Sequence, residues 1–356
     1  MRSIDEASTG PAADADGPPR RPRALITMNP GQVDEVFPPD VRRRLAQVAD
    51  LRLAHPVDDF SAGPAAAELA DVEVLVTGWG CPPVDAAVLA RAPRLRAVVH
   101  AAGTVRTFLS PEVFDRGIVV SSAAAANAVP VAEFTLAAII MGAKRVMPLA
   151  RLFQQRRTHR TAADLRRQHW LGAHGLTVGV IGASRTGRRV TELVLRTLDA
   201  QVLLYDPYLS DGEAEGLGAR RTDLDTLVAT SDVVTVHAPQ TPETHHLIDA
   251  RRLALMRPGT LLVNTARGAL VDIEALTEHL VSNRLDAMLD VTEPEPLPAQ
   301  HPLWTLPNVF ITPHLAGAQG NEAARLGALA VEEVARYARR EPFAHQVRQT
   351  SWEYLA

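Results

Sequence analysis

Residues 177–187 read TVGVIGASRTG, an apolar strand pattern that runs into a glycine-containing turn and then into the helical pattern Arg185–Leu198. Gly182 permits a tight turn from strand to helix, and Gly187 permits close packing of that helix on the strand. The free N–H groups at a helix N-terminus bind phosphates. In this helix we expect the pyrophosphate of a dinucleotide to meet Ser184, Arg185 and Thr186. The segment predicts a dinucleotide-binding α/β unit, although such a turn alone is only suggestive.

The turn reads G-x-S-x-x-G, whereas the usual fingerprint has a second glycine where Ser184 stands. The side chain of Ser184 either narrows the approach of the phosphates or donates its hydroxyl to them. The following strand pattern ends at Asp206, nineteen residues after Gly187. An acid there accepts hydrogen bonds from ribose hydroxyls and repels a 2′-phosphate, so we predict NAD over NADP. The alternative for Asp206 is a turn aspartate that precedes Pro207.

Strands and helices alternate on both sides of this turn, which is typical of parallel sheets covered by helices. A long apolar helix is predicted over 129–145, and a last helix over 322–339 returns to the first domain. The predicted strands are Ala24–Thr27, Val74–Thr77, Ala97–His100 and Ile118–Ser121, then Thr177–Ile181, Gln201–Tyr205, Val233–His237, Thr260–Asn264, Ala287–Val291 and Val309–Thr312.

The pattern predicts an α/β protein with a helix-covered parallel sheet in its first half and a doubly wound nucleotide-binding domain in its second half. We expect a disordered tail over 1–22 and a discontinuous substrate-binding (catalytic) domain over 23–126 and 318–356. The NAD-binding domain is expected over 127–317. A chain of 356 residues is longer than one core usually absorbs, which agrees with two domains.

The composition excludes several classes of protein. A net charge of −4 offers no overall basic surface for nucleic acid. The single cysteine, Cys81, forms no intrachain disulfide and is expected to be a passive thiol in a reducing compartment. The N-terminal residues lack an apolar signal core. The longest apolar stretch, Val131–Ala143, is interrupted by Glu133 and is too short to span a bilayer. We therefore expect a soluble, cytoplasmic protein with no membrane or nucleic-acid partner.

Three ionisable residues follow the nucleotide turn, each in its own phrase: Arg267 in NTARG, Glu295 in LDVTEPEP and His314 in ITPH. A guanidinium can bind a substrate carboxylate and polarise its ketone. An imidazole can deliver a proton near neutral pH, and a carboxylate can hold it oriented and charged. The alternatives are a strand-end ion-pair partner for Arg267, a solvated acid for Glu295 and a cap for His314. Three in series favour reduction of a 2-keto acid.

Together with NAVPVAE over 127–133 and VHAPQTPET over 236–244, these phrases resemble the D-isomer-specific 2-hydroxyacid dehydrogenase family from about Leu95 to Gly317. The resemblance implies two Rossmann-like, doubly wound parallel-sheet domains with an active cleft between them, and usually a homodimer through the nucleotide domain. It implies catalytic roles for Arg267, Glu295 and His314, with Glu293 taken as surface. No metal ligand is expected.

The same resemblance implies a set of further contacts. Asp290 is expected at the nicotinamide carboxamide, and backbone N–H groups of Ala102 and Gly103 at the substrate carboxylate, which Arg267 also binds. The cofactor contacts are expected at Gly182, Ser184, Arg185, Thr186, Gly187, Asp206, His237, Pro239, Thr244, Ala266, Asp290 and Gly317.

The loop 101–108, AAGTVRTF, departs from the family's G-x-G-x-D pattern, which leaves the substrate open. Arg106 either meets a second anionic group of the substrate or is an exposed loop arginine. The first hypothesis is a 2-keto acid reductase, with glyoxylate and hydroxypyruvate as test substrates. The alternatives are an NAD(H)-sensing, corepressor-like interaction protein and a phosphite-type dehydrogenase of the same fold.

Overall fold

The structure is a computed structural model that describes residues 20–61, 63–159, 161–166 and 172–354. The tail expected over 1–22 lies almost entirely outside the described residues. Contacts between Cα atoms divide the chain into two units. The first contains the chain up to Ala123 together with Ala324–Gln349, and the second contains Ala124–Ala323 and the chain from Thr350. The expected domain bounds, 23–126 with 318–356 and 127–317, stay a prediction.

In chain order the strands are β1 (Arg23–Thr27), β2 (Asp50–Leu51), β3 (Val74–Thr77), β4 (Ala97–His100), β5 (Val119–Ser122), β6 (Leu176–Ile181), β7 (Ala200–Tyr205), β8 (Arg220–Arg221), β9 (Val233–Val236), β10 (Leu261–Asn264), β11 (Asp286–Leu289), β12 (Val309–Ile311) and β13 (Gln346–Val347).

The helices are α1 (Val33–Val36), α2 (Pro39–Val48), α3 (Gly63–Glu68), α4 (Ala86–Arg91), α5 (Glu112–Asp115), α6 (Ala124–Ala143), α7 (Val146–Arg156), α8 (Ala162–Arg166), α9 (Arg185–Thr197), α10 (Asp211–Gly216), α11 (Leu224–Thr230), α12 (Ala250–Leu255), α13 (Ile273–Val281) and α14 (Ala323–Ala338). Short 3-10 turns occupy Pro30–Gln32, Pro242–Thr244, Gly268–Leu270, Pro302–Trp304, Gly320–Glu322 and Gln349–Tyr354.

The first unit is built on one sheet with the strand order β13-β5-β4-β3-β1-β2, in which only β13 runs antiparallel. Its parallel part has the flavodoxin-like order. The central strands β3 and β4 are apolar and buried along their whole length, as strands covered by helices on both faces must be. His100 ends β4 inside this core, where its Nδ1 lies 2.8 Å from the Thr77 hydroxyl. Burial lowers the pKa of His100 to about 3.

The second unit is built on a parallel sheet with the order β12-β11-β10-β9-β6-β7-β8. Renumbered from β6, this is the doubly wound dinucleotide-binding order. Strands β7 and β8 are added on one side of β6 and strands β9 to β12 on the other, so the strand order reverses between β6 and β9. The predicted fold class, two Rossmann-like parallel-sheet domains, is therefore confirmed for each unit. The short edge strands β2, β8 and β13, which have two residues each, were not predicted.

The predicted bounds of the long apolar helix were wrong. It begins at Ala124, five residues before the predicted start at Val129, and it contains Pro130. It is also longer than the apolar stretch 131–143 suggested, and by length and composition alone α6 could cross a membrane. Core helices meet the same criteria, and α6 packs against α9, β9, β10 and β11. At Gly142 the helix α6 lies so close to β10 that an added Cβ would stand 2.3 Å from the side chain of Leu261.

Cys81 is buried, and burial raises the pKa of its thiol to about 12. Its sulfur lies 3.3 Å from the Thr27 hydroxyl. A buried thiol that stays protonated is a poor nucleophile, so the expectation of a passive cysteine agrees with its surroundings.

A substitution of Leu227 on α11 tests how tightly the core of the second unit is packed. Its side chain is fully buried among the residues that cover one face of the sheet. Leu227→Ala should lower the free energy of unfolding by about 2–5 kcal/mol, since it removes apolar contact and leaves a cavity. Urea denaturation followed by circular dichroism measures the change. Leu255→Ala is the control, because Leu255 is 40% exposed, and it should cost much less. Equal losses would contradict the packing described.

Candidate active site

Two glycines shape the turn between β6 and α9. Gly182 has a φ of +96°, and a Cβ there would lie 2.6 Å from the backbone nitrogen of Ala238. A Cβ on Gly187 would lie 1.9 Å from the carbonyl oxygen of Gly182. Both positions therefore require glycine, because the turn is pressed between the first turn of α9 and the chain that leaves β9.

Ser184 is the N-cap of α9, and its hydroxyl accepts a hydrogen bond of 3.2 Å from the backbone N–H of Gly187. Its φ of −61° is open to any residue, so the position does not demand a glycine. The hydroxyl proton remains available for donation. Arg185, which is exposed, and Thr186 form the first turn of this thirteen-residue helix.

Asp206 follows β7 and is tied to the same turn. One carboxylate oxygen accepts from the N–H of Ala183 at 2.8 Å, and the other accepts from the N–H of Tyr208 at 2.9 Å. Each oxygen keeps a free lone pair, so the carboxylate can still accept from ribose hydroxyls. The sequence analysis weighed this role against that of a turn aspartate before Pro207. The contact with Tyr208 gives the carboxylate the turn role, and the contact with Ala183 also ties it to the phosphate turn.

His237 lies at the end of β9 and is almost fully buried. Its Nε2 lies 2.9 Å from the Thr235 hydroxyl, whereas its buried Nδ1 has no hydrogen-bond partner among the described residues. Burial lowers the pKa of His237 to about 3, which keeps the ring neutral. An orphaned polar atom in such a place is typical of a ligand site.

The loop after His237 is held by Thr244. The Thr244 hydroxyl donates to the carbonyl of Pro239 at 2.7 Å and accepts from the N–H of Thr241 at 2.8 Å. The structure therefore gives Thr244 a local role, the fixing of the loop that carries Pro239.

Arg267 follows β10, and Asn264 clamps the turn that carries it. The Asn264 side-chain amide donates to the carbonyl of Arg267 at 2.8 Å, and its oxygen accepts from the N–H of Ala266 at 3.1 Å. A Cβ on Gly268 would stand 2.1 Å from the carbonyl of Thr292, so the turn lies directly on the chain that leaves β11. Burial lowers the pKa of Arg267, while the charge of Glu295 acts in the opposite direction.

His314 and Glu295 form a pair. His314 Nδ1 lies 2.8 Å from a carboxylate oxygen of Glu295, and the two side chains are 49% and 43% exposed. Glu293, two residues earlier, instead lies 3.6 Å from His245. His314 has a φ of +54°, a conformation that a non-glycine residue keeps only when its surroundings impose it.

Asp290 supplies that constraint. Its carboxylate is buried and accepts from the Thr312 hydroxyl at 2.6 Å and from the N–H groups of Leu315 and Ala316 at 2.8 and 2.9 Å. Its carbonyl accepts from the N–H of His314 at 3.0 Å. The sequence assigned Asp290 to the nicotinamide and missed this role. The signal in the sequence was an aspartate directly after an apolar strand, where a buried carboxylate needs hydrogen-bond donors.

Gly317 ends the same loop. Asn127 near the start of α6 accepts from the N–H of Ala318 at 2.9 Å, and a Cβ on Gly317 would meet the Asn127 side chain at 3.2 Å. Arg267, Glu295, His314, Asp290 and Gly317 all lie in the second unit. Ala102 and Gly103 follow β4 in the first unit, where Ala102 is buried and Gly103 is half-buried, and their contact with a substrate stays a prediction.

Asp290→Asn tests whether this carboxylate holds the His314 loop. An amide offers one acceptor oxygen and turns an NH2 group towards N–H donors, so at least one buried group loses its partner. The free energy of unfolding should fall by about 1–3 kcal/mol, measured by urea denaturation. Asp199→Asn, at an acid whose side chain is 77% exposed, should change it by less than about 0.5 kcal/mol. A loss no larger than that of the control would refute the anchoring role.

Comparison with known proteins places this arrangement in context. The family model described as "D-isomer specific 2-hydroxyacid dehydrogenase, NAD binding domain" matches residues 136–316. A D-3-phosphoglycerate dehydrogenase of Archaeoglobus fulgidus is 34% identical over 273 residues, which is 76% of this chain and 50% of that protein. The chain thus spans about half the length of the phosphoglycerate dehydrogenases that it matches.

A relative of similar length is the glyoxylate/hydroxypyruvate reductase B of Pectobacterium carotovorum. It is 35% identical over 302 residues, which cover 83% of this chain and 90% of that protein. Among solved structures, the TT0316 protein from Thermus thermophilus matches with a TM-score of 0.71 and 30% identity, over 92% of this chain and 100% of that one.

Proposed function

Since the chain belongs to the D-isomer specific 2-hydroxyacid dehydrogenase family, we propose that it interconverts a 2-keto acid and a D-2-hydroxy acid with NAD as the hydride carrier. The observation that supports this most strongly is the 2.8 Å contact between His314 Nδ1 and Glu295, on a loop fixed by Asp290. Arg267 lies within the electrostatic influence of the same glutamate. An imidazole with a carboxylate partner and a desolvated guanidinium supply proton transfer and anion binding.

The residues of the second unit fit NAD. The turn at Gly182 and Gly187 leaves no space for a Cβ, and the thirteen-residue helix α9 presents its N-terminus there. Asp206 can accept from ribose hydroxyls, and the orphaned Nδ1 of His237 offers a further polar contact. The matching family model is that of an NAD-binding domain, which supports the cofactor expected from the turn. When bound, NAD supplies or accepts the hydride.

Arg267 holds the substrate in this proposal. A guanidinium binds a carboxylate through paired N–H donors and can also polarise the neighbouring ketone. Arg267 is half-buried, and its guanidinium donates to the carbonyl of Ala266 at 2.6 Å, which fixes one end of the group. Ala102 and Gly103 are proposed to add backbone N–H groups at the same carboxylate.

His314 moves the proton. Its Nδ1 is engaged with Glu295, so Nε2 is the atom left to exchange a proton with the substrate oxygen. During reduction the charged imidazole donates from Nε2 as the ketone becomes an alcohol. During oxidation the neutral ring accepts the hydroxyl proton there. Glu295 keeps the ring oriented through its contact with Nδ1.

Glyoxylate and hydroxypyruvate are the first substrates to test. The relative that this chain matches over 90% of its length is named for them, whereas the match covers only about half of each phosphoglycerate dehydrogenase. We also propose a cytoplasmic homodimer that binds a small acid. The deciding experiment is a panel of 2-keto acids with NADH, followed by the loss of NADH absorbance. Tight NADH binding without turnover on any acid would favour the NAD(H)-sensing alternative, and turnover of phosphite with NAD would favour the phosphite-type enzyme.

His314→Ala should lower kcat for keto-acid reduction by about 10²–10⁴-fold, because it removes the proton donor. Steady-state kinetics with NADH measure the change. His174→Ala is the matched control, since His174 also pairs with a carboxylate but is 89% exposed, and its kcat should be unchanged. A wild-type rate for His314→Ala would exclude the proposed proton donor.

Asp206→Asn tests the cofactor choice. The amide keeps the size and one acceptor oxygen but removes the negative charge that repels a 2′-phosphate. The ratio of kcat/KM for NADH over NADPH should fall at least about tenfold, which corresponds to about 1.4 kcal/mol. A wild-type enzyme that prefers NADPH, or a ratio unaffected by the substitution, would contradict the assignment.

A further inference from the structure

Two imidazoles and a carboxylate that have no assigned role in the reaction lie close together in the second unit. His245, His246 and Glu293 each offer a ligand atom, and these atoms lie within 4.8 Å of one another. The two rings are stacked, with centroids 3.9 Å apart and planes inclined by 23°. The sequence analysis expected no metal ligand, and the acid lies far along the chain from the histidines.

We propose that His245, His246 and Glu293 form a binding site for a divalent transition-metal ion, with Zn²⁺ as the best fit. Two imidazoles and one carboxylate are a typical zinc donor set, to which water adds the fourth ligand. Nitrogen donors select Zn²⁺ and its neighbours over Mg²⁺ and Ca²⁺, which prefer oxygen.

The distances suit such an ion. Two ligand atoms of a tetrahedral zinc site, each about 2.1 Å from the metal, are about 3.4 Å apart. His245 Nε2 lies 3.6 Å from a carboxylate oxygen of Glu293, close to that separation. The side chains of His245 and Glu293 are 53% and 46% exposed, so small rotations can bring the remaining donor into range and water can complete the shell.

The backbone beneath these donors is already fixed. The N–H of His246 donates to the carbonyl of Ala269 at 2.8 Å. A Cβ on Gly268 would stand 2.6 Å from the backbone nitrogen of Glu293, so Glu293 lies against the same turn. The Thr292 hydroxyl donates to the carbonyl of Pro294 at 2.8 Å and holds that segment. Residues 268–269 therefore support both halves of the site, and little ordering remains for the metal to impose.

The position of the site links it to the reaction centre. Gly268 follows Arg267 directly, and Glu293 precedes Glu295 by two residues. A bound ion would join the loop after β9 to the chain after β11 across the turn that carries Arg267. Metal binding is thus expected to stabilise the folded protein by mass action. This effect can be measured without any substrate turnover.

Isothermal titration of tag-free, EDTA-treated protein with ZnCl₂ tests the proposal without any substrate. The wild type should bind one Zn²⁺, and its Tm should rise with added Zn²⁺. His246→Asn and Glu293→Gln should each weaken the affinity by at least about tenfold, since even the loss of an outer partner of a zinc ligand does so. Co²⁺ should produce visible absorption bands in the wild type and lose them in both variants.

Two further variants separate this site from others. His174→Asn removes an exposed histidine that faces a single carboxylate, and His314→Ala removes the imidazole of the reaction centre. Both should still bind one Zn²⁺ with wild-type affinity. The proposal is overturned if the wild type binds no Zn²⁺, if His246→Asn and Glu293→Gln bind it unchanged, or if His314→Ala abolishes binding. Circular dichroism and the Tm in EDTA establish that each variant is folded.

Discussion

The candidate site of the second unit depends on the buried carboxylate of Asp290, which accepts the hydrogen bonds of polar groups in the chain that follows β12. Asp290 leaves β11 and accepts hydrogen bonds from Thr312, Leu315 and Ala316, which fixes the loop that carries His314 in a left-handed conformation. A buried charge is tolerated only when its acceptor positions are occupied, so the loop and the acid stabilise each other. The pairing of His314 with Glu295 follows from this anchor, because the imidazole is presented at the correct edge of the sheet.

Close backbone approach is the second constraint, and it is met by glycines. Gly268 rests on Thr292, and Gly187 rests on the carbonyl of Gly182. Asn264 adds a polar clamp to the first of these contacts. The turn with Arg267, the chain with Glu295 and the phosphate turn are therefore built from rigid strand ends, as the geometry of binding sites in doubly wound sheets requires. The same compactness brings His245, His246 and Glu293 together beside Arg267.

Much of this could be predicted from the sequence, because buried parallel strands are apolar throughout and the phosphate turn has its own glycine spacing. The strands around Thr177–Ile181 were predicted in that way, whereas Arg267, Glu295 and His314 were singled out by the phrases that contain them, and their roles stay predictions. Short edge strands such as β8 carry too little pattern, and a proline hid the true start of α6 at Ala124. The partners of Asp290 and Glu293 lie far away along the chain and come close only through tertiary packing. The spacing of apolar residues within a strand or helix does not predict such contacts.

The pH dependence of the reaction in both directions tests the central claim, that His314 held by Glu295 transfers the proton, most directly. Reduction consumes a proton and oxidation releases one, so kcat/KM for a 2-keto acid should fall with rising pH, and kcat/KM for the D-2-hydroxy acid should fall with decreasing pH. His314→Gln removes the imidazole and should abolish both dependences, whereas Glu295→Gln keeps the imidazole and should retain both at lower rates. Parallel pH profiles in the two directions, or profiles that His314→Gln leaves unchanged, would contradict the account.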